Sequence, residues 1–130
     1  TLGDLAAIAT GSATELVLGN LDAVRDWGWA PDYASALAKA ATSTPGEYII
    51  ATGEAHTVRE FVAAAFAAVG ITDWEPLVGQ DPAFMRPSDA AALVGDASRA
   101  RAALDWAPTK SFAEMVAAMV ENDIAQSGAN

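Results

Sequence analysis

Leu18-Gly19-Asn20-Leu21-Asp22-Ala23-Val24-Arg25-Asp26-Trp27-Gly28-Trp29-Ala30-Pro31-Asp32-Tyr33 is the stretch on which the reading of this chain turns. The apolar residues Leu16, Val17 and Leu18 lead into Gly19-Asn20, a turn signal. Arg25 follows between Asp22 and Asp26, and then two tryptophans. Pro31 opens a helix, because its fixed φ and missing N–H suit the first helical position. Apolar strand, turn, lone arginine, aromatic loop and helix start together describe one wall of a ligand cleft.

Working outward, Leu2, Leu5, Ala6 and Ala9 share one helical face, so 1–10 reads as a short helix that Gly11-Ser12 ends. Glu15 to Leu18 reads as a strand. The helix from Pro31 to about Ala41 carries Asp32 in its first turn and Lys39 in its last, both suited to the helix dipole. Tyr33, Leu37 and Ala41 are its expected buried stripe. After Thr44-Pro45-Gly46, the run Tyr48 to Thr52 is the best strand pattern in the chain, apolar on both faces as in a covered parallel sheet. Thr57 and Glu60 have capping-box spacing and open a helix through Val69 that Gly70 ends. Trp74 to Val78 reads as a short strand and 79–88, with Pro82 and Pro87, as a loop. Asp96 caps a short helix, Ala97 to Leu104. Ser111 and Glu114 repeat the capping box before a last helix, Phe112 to about Gln126. This pattern makes an α/β chain, mostly helical with a few short strands, and the Tyr48–Thr52 strand has few others to sit beside.

The chain has 130 residues, 52% of them hydrophobic, enough for one small domain. Its 17 acidic residues against 7 lysines and arginines give a net charge of −10. That balance argues against a nucleic-acid partner and against an anionic membrane surface. The absence of cysteine excludes disulfides, zinc–thiolate sites and thiol nucleophiles, and a single histidine excludes a two-histidine metal site. No apolar run approaches the about 18 residues of a membrane helix, and no signal-peptide pattern is visible, so a cytoplasmic location is expected. Thr1 in place of an initiator Met fits either methionine removal or a piece of a longer protein.

No two glycines stand one residue apart, so a G-x-G-x-x-G dinucleotide loop is absent. Leu37 and Thr52 stand four residues after Tyr33 and Tyr48, so there is no Tyr-x-x-x-Lys pair either. Arg25 reads equally as a partner of its flanking carboxylates or as a planar donor fork for a diphosphate. Arg86 sits in Asp81-Pro82-Ala83-Phe84-Met85-Arg86-Pro87-Ser88-Asp89, where two prolines stiffen the loop that presents it. Asp89 reads as a ribose-hydroxyl acceptor, a helix cap or a solvated acid. Trp27 and Trp29 suit a stacked base or a packed core. His56 lies just past the Tyr48–Thr52 run, where ligands bind in parallel sheets, but a lone His beside a helix start is more often a cap or packing group.

The sequence Leu-Gly-Asn-Leu-Asp-Ala-x-Arg-Asp-Trp-Gly with Asp32-Tyr33 resembles a stretch of the GDP-mannose 4,6-dehydratases, which are extended short-chain dehydrogenase/reductase enzymes. The resemblance continues, in order, through Ile50-Ala51-Thr52-Gly53-Glu54-Ala55-His56-Thr57-Val58-Arg59-Glu60-Phe61, Asp81-Pro82, Arg86-Pro87, Leu93-Val94-Gly95-Asp96, Trp106-Ala107-Pro108 and Ser111-Phe112. It implies the C-terminal, nucleotide-sugar-binding part of such an enzyme, residues 1–130 forming a single C-terminal substrate-binding domain without the N-terminal Rossmann domain. The function it implies is binding the GDP-sugar in an enzyme that converts GDP-mannose to GDP-4-keto-6-deoxymannose. It places Arg25 and Arg86 on the GDP part of the substrate and Asp89 on the ribose; the two arginines are expected to converge across one cleft with Asp89 and Asn20 near its rim. No catalytic residue is expected in this stretch. NADP would belong to the full-length enzyme and not to this chain alone, which is expected to be inactive. The implied partners are GDP-mannose or a related nucleotide sugar, an N-terminal dinucleotide-binding domain, and further copies in a homo-oligomer. Part of another nucleotide-sugar epimerase or reductase, or a non-catalytic nucleotide-sugar-binding module, is the alternative. Two positions depart from the family pattern: Asp89 stands where Glu is usual, and Ala55 where Thr or Ser is frequent.

Overall fold

The computed structural model describes residues 2–84 and 92–127. The chain divides into two compact units, each assembled from separated segments. One comprises Thr1–Ala23, Thr57–Asp89 and Val116–Asn130, the other Val24–His56 and Ala90–Met115.

The first unit is built on apolar burial. Helix α1 (Leu2–Ala9) packs on α3 (Val58–Ala68), and strand β1 (Leu16–Leu18) pairs in parallel with β4 (Val78–Gln80) in the register Leu16 to Val78 and Leu18 to Gln80. Leu5, Leu16, Val62, Phe66, Val116 and Val120 are all buried, and the Phe66 ring stacks on Trp74 with centroids 6.4 Å apart. Leu5, Leu16, Leu18, Phe61 and Val62 line an apolar cavity of about 140 Å³. The expected capping box is formed at α3: Thr57 Oγ1 accepts from Glu60 N at 3.1 Å, and Thr57 N donates to Glu60 Oε2 at 2.6 Å. The backbone N–H groups of Val58 and Arg59, which a helix leaves without internal partners, donate to the carbonyls of Ala23 and Leu21.

The second unit packs α2 (Ala30–Ala41) against α4 (Ser98–Leu104) over a core of Ala36, Ala51, Ala97, Ala100, Leu104 and Trp106. The short strand β2 (Val24–Arg25) pairs with β3 (His56–Thr57), and Arg25 also forms a parallel bridge with Leu93. Asp105, at φ 46°, closes α4 in the left-handed region, and its carbonyl accepts from Lys39 Nζ. Helix α5 (Phe112–Ser127) starts at the second expected capping box, with Ser111 N donating to Glu114 Oε2 at 2.8 Å.

Three expectations are corrected. Tyr48–Thr52 is not a strand: among the described residues no ladder includes it. The polar groups at its C-terminal end are taken by side chains instead, Thr52 N by Asp26 and Thr52 O by Arg101. Trp74–Val78 is not a strand either. Pro76 favours a turn of 3-10 helix at Glu75–Leu77, and the strand begins only at Val78, so Gly79 and Gln80 lie in β4 rather than in a loop. The buried face of α2 is Asp32 and Ala36, with Leu37 71% exposed and Ala41 outside as well. A polar bond sets that rotation: Asp32 is buried and its carboxylate accepts from Thr109 N at 2.8 Å and Thr109 Oγ1 at 2.6 Å.

Candidate functional site

Arg25 is half-buried on β2, and its Nη1 donates to the Val24 carbonyl at 2.7 Å. Asp26, the next residue, is a hub. Its Oδ1 accepts from Thr52 N at 3.0 Å and Thr52 Oγ1 at 2.5 Å, and its Oδ2 from Gly53 N at 3.0 Å and Gly95 N at 3.2 Å. Burial raises the Asp26 pKa, but the hydrogen bonds from Thr52, Gly53 and Gly95 outweigh it and hold the carboxyl below its ordinary value. Asp22 meets Arg59 at 3.5 Å.

Two glycines of the quoted motifs are required by close approach. At Gly28 a Cβ would lie 2.3 Å from the Tyr33 ring, and at Gly95 it would lie 2.3 Å from the Ala51 Cβ. Arg-Asp-Trp-Gly and Asp-Tyr therefore belong to one packing unit. The Tyr33 ring leans edge-on against Trp106 at 6.1 Å, and Trp106 Nε1 donates to the Asp32 carbonyl at 2.8 Å. Burial, then the Asp26 and Asp32 carboxylates, raise the Tyr33 pKa.

The Thr52–Glu54 turn that Asp26 holds forms the wall of two adjoining clefts. One, of about 310 Å³, is lined by Trp27, Thr52, Glu54, Arg101, Lys110 and Phe112 among others. The second, of about 450 Å³, shares Thr52, Glu54 and Arg101 and adds Gly95, Asp96 and Ser98. Arg101 stands at the shared edge and donates to the Thr52 carbonyl at 3.0 Å. His56 stacks on Phe112 with centroids 3.8 Å apart, and its Nε2 lies 3.6 Å from Glu54 Oε2. Trp27 lies 5.9 Å from the same phenyl ring, and the Lys110 ammonium lies 5.5 Å from the Trp29 ring centre. His56 and the tryptophans are thus engaged with protein groups here. The clefts offer guanidinium and ammonium donors, the carboxylates of Glu54 and Asp96, and hydroxyls, chemistry suited to holding a polar ligand.

Of the residues expected at the site, Arg25 is in the second unit. Asn20 is in the first, where its Oδ1 accepts from Asp22 N at 2.9 Å and so shapes the turn. Arg86 and Asp89 lie outside the described residues. Among the described residues, no group of three or more His, Cys, Asp or Glu side chains could hold a metal, and no helix is long and apolar enough to cross a membrane. Sequence reasoning missed the Asp26 hub and the buried Asp32. Each carboxylate takes a backbone N–H far along the chain, so only the turn residues Thr52-Gly53 and Gly95 hinted at the first.

The model of the family described as GDP-mannose 4,6 dehydratase matches residues 3–119. The chain is 40% identical over 121 residues to GDP-mannose 4,6 dehydratase 1 of Arabidopsis thaliana, covering 92% of this chain and 33% of that protein. It is 38% identical over 137 residues to the Homo sapiens GDP-mannose 4,6 dehydratase, covering 92% of this chain and 37% of that one. In structure it is similar to RMD from Pseudomonas aeruginosa, solved with NADPH. The TM-score is 0.84 at 20% identity, over 96% of this chain and 41% of the other. The chain thus spans about a third of the length of the curated relatives it matches, and the expected α/β fold stands. With a family model matched over most of its length and relatives near 40% identity, the chain belongs to the GDP-mannose 4,6 dehydratase family.

Proposed function

We propose that this chain is the GDP-sugar-binding part of a GDP-mannose 4,6-dehydratase, working in the conversion of GDP-mannose to GDP-4-keto-6-deoxymannose. The observation that carries the reading is the family match over residues 3–119. In this proposal Arg25 and Arg86 bind the diphosphate, Asp89 the ribose, and Asn20 borders the site. A guanidinium matches phosphate oxygens two at a time, which an ammonium cannot do. With a net charge of −10, long-range attraction opposes capture of a diphosphate, so the binding has to come from aimed local donors.

NADP belongs to the enzyme but not to this chain's own residues. Among the described residues the left-handed glycines, Gly11, Gly53 and Gly70, are single and scattered, and the first turn of α3 is closed by its own Glu60. The N-terminal dinucleotide-binding domain is the partner that supplies the cofactor, homo-oligomer formation belongs to the complete enzyme, and the location is cytoplasmic. This chain alone binds without turning over.

Calorimetric titration of the purified chain with GDP, UDP and inorganic diphosphate tests this. GDP should bind most tightly, and Arg25→Ala or Arg86→Ala should weaken it at least about tenfold, since a charge-assisted contact contributes roughly 1.5–3 kcal/mol. Arg86→Lys should recover only part. Equal affinity for GDP and UDP, or turnover of GDP-mannose by the chain with added NADP, would overturn it.

A further inference from the structure

We propose that Asp26 is a positioning residue for Arg25, its carboxylate extending by side chain the pairing that the Arg25 backbone begins. The inference rests on the reading of Arg25 as a diphosphate ligand. Arg25 bridges Leu93, and two residues on from Leu93 the Gly95 N–H donates to Asp26. Asp26 thereby closes the same run of contacts on the Leu93–Gly95 side and ties it to Thr52-Gly53.

The protonation and direction of these bonds follow from chemistry. A carboxylate offers about four lone-pair positions. Here Thr52 N, Thr52 Oγ1, Gly53 N and Gly95 N supply four donors, two to each oxygen. Thr52 Oγ1 also accepts from Glu54 N at 3.1 Å, so its single proton points at Asp26. The acceptor capacity of Asp26 is therefore spent on three backbone N–H groups and one hydroxyl, from two segments far along the chain.

Asn is no substitute. It keeps one acceptor oxygen, so whichever way the amide turns, its NH₂ group faces at least one backbone N–H donor and leaves it unmatched. A neutral, nearly isosteric change thus loosens the register of the residue beside Arg25 without altering the Arg25 guanidinium chemically. Thr52 gives a gentler lever, since Thr52→Val removes only the hydroxyl donor and Thr52→Ser keeps it.

The test uses the isotopically labelled chain, with the Arg25 Nε–Hε NMR signal assigned by its loss in Arg25→Lys, and GDP as the binding probe. Asp26→Asn should shift or broaden the Arg25 signal without ligand and weaken GDP binding about tenfold. Thr52→Val should move both in the same direction by less, about threefold in affinity, and Thr52→Ser should restore both. On an Arg25→Ala background, Asp26→Asn should cost no further affinity, because the two act as one unit. If Asp26→Asn does not fold, the Thr52→Val and Thr52→Ser pair decides. An Arg25 signal unchanged in the folded variants, or affinity losses that add on the Arg25→Ala background, would leave Asp26 as a structural staple only. Should the wild-type chain fail to bind GDP while the Arg25 signal responds as described, the reading of the site falls and the positioning role stands.

Discussion

The two units of this chain are held by different forces. In the first, the largest fully buried side chain is Phe66, stacked on Trp74, with Leu5, Val116 and Val120 also fully buried. In the second, the central cluster is chiefly alanine around Trp106, and two aspartates do much of the joining. Asp32 binds Thr109, and Asp26 binds Thr52, Gly53 and Gly95. Alanines bury little area each, about 25 cal/mol per Å² of apolar surface, so helices that pack through them need added directional bonds. The lesson is a division of labour. Non-directional burial stabilises the first unit, whereas hydrogen-bonded carboxylates specify the geometry of the second, where Arg25 sits.

The sharpest way to break the comparison is Phe66→Ala. It should cost about 3–5 kcal/mol through lost transfer energy and the cavity left behind. Urea unfolding read through Trp74 should show this at neutral and at acidic pH alike. A loss confined to one end of the pH range would mean that burial does not dominate the first unit. Next is Asp32→Ala, which leaves Thr109 N without its acceptor and should cost about 1–3 kcal/mol. The shift in urea midpoint read through Trp106 measures it, and a change within error would remove Asp32 from the account.

The smallest effect is the pH dependence of Asp26, which is only half-buried and so partly screened by solvent. Its folded pKa lies below the unfolded value of about 4. Its stabilising contribution is therefore complete above about pH 4 and falls away as the pH drops through the folded pKa. The wild-type midpoint should decline on acidification more steeply than that of Asp26→Asn, whose side chain does not titrate. Parallel declines would show that the Asp26 hydrogen bonds carry no net linkage.

How much was legible follows from the same division. The capping boxes at Thr57/Glu60 and Ser111/Glu114 are local, three residues apart, and both form as the sequence implies. Among the described residues, periodicity located the five helices within a residue or two. It misjudged the rotation of α2, because Leu37 is the better apolar residue but Asp32 has a partner 77 residues away. Tyr48–Thr52 misled for a related reason: its composition suits a strand, yet Asp26 and Arg101 serve its end. Of the proposed site residues, Arg25 could be singled out from its motif. The role of Asp26 could not, since it depends on two segments brought from 26 and 69 residues away.

The parallel β1–β4 pair bears on the order in which the chain can fold. Its strands are adjacent in space, but everything from Gly19 to Leu77 lies between them, including all of 24–56 from the other unit. A hairpin forms by zipping from its turn; this pair has no turn to zip from, and its first contact must close a long loop before any ladder bond rewards it. The β1–β4 register is thus a late event in refolding, after α3 and α5 have nucleated at their own capped ends. Pulse-labelling hydrogen exchange reads it directly: protection at Asp81, whose N–H donates to the Leu18 carbonyl, should trail protection in α3, and simultaneous protection would show the strands meeting early.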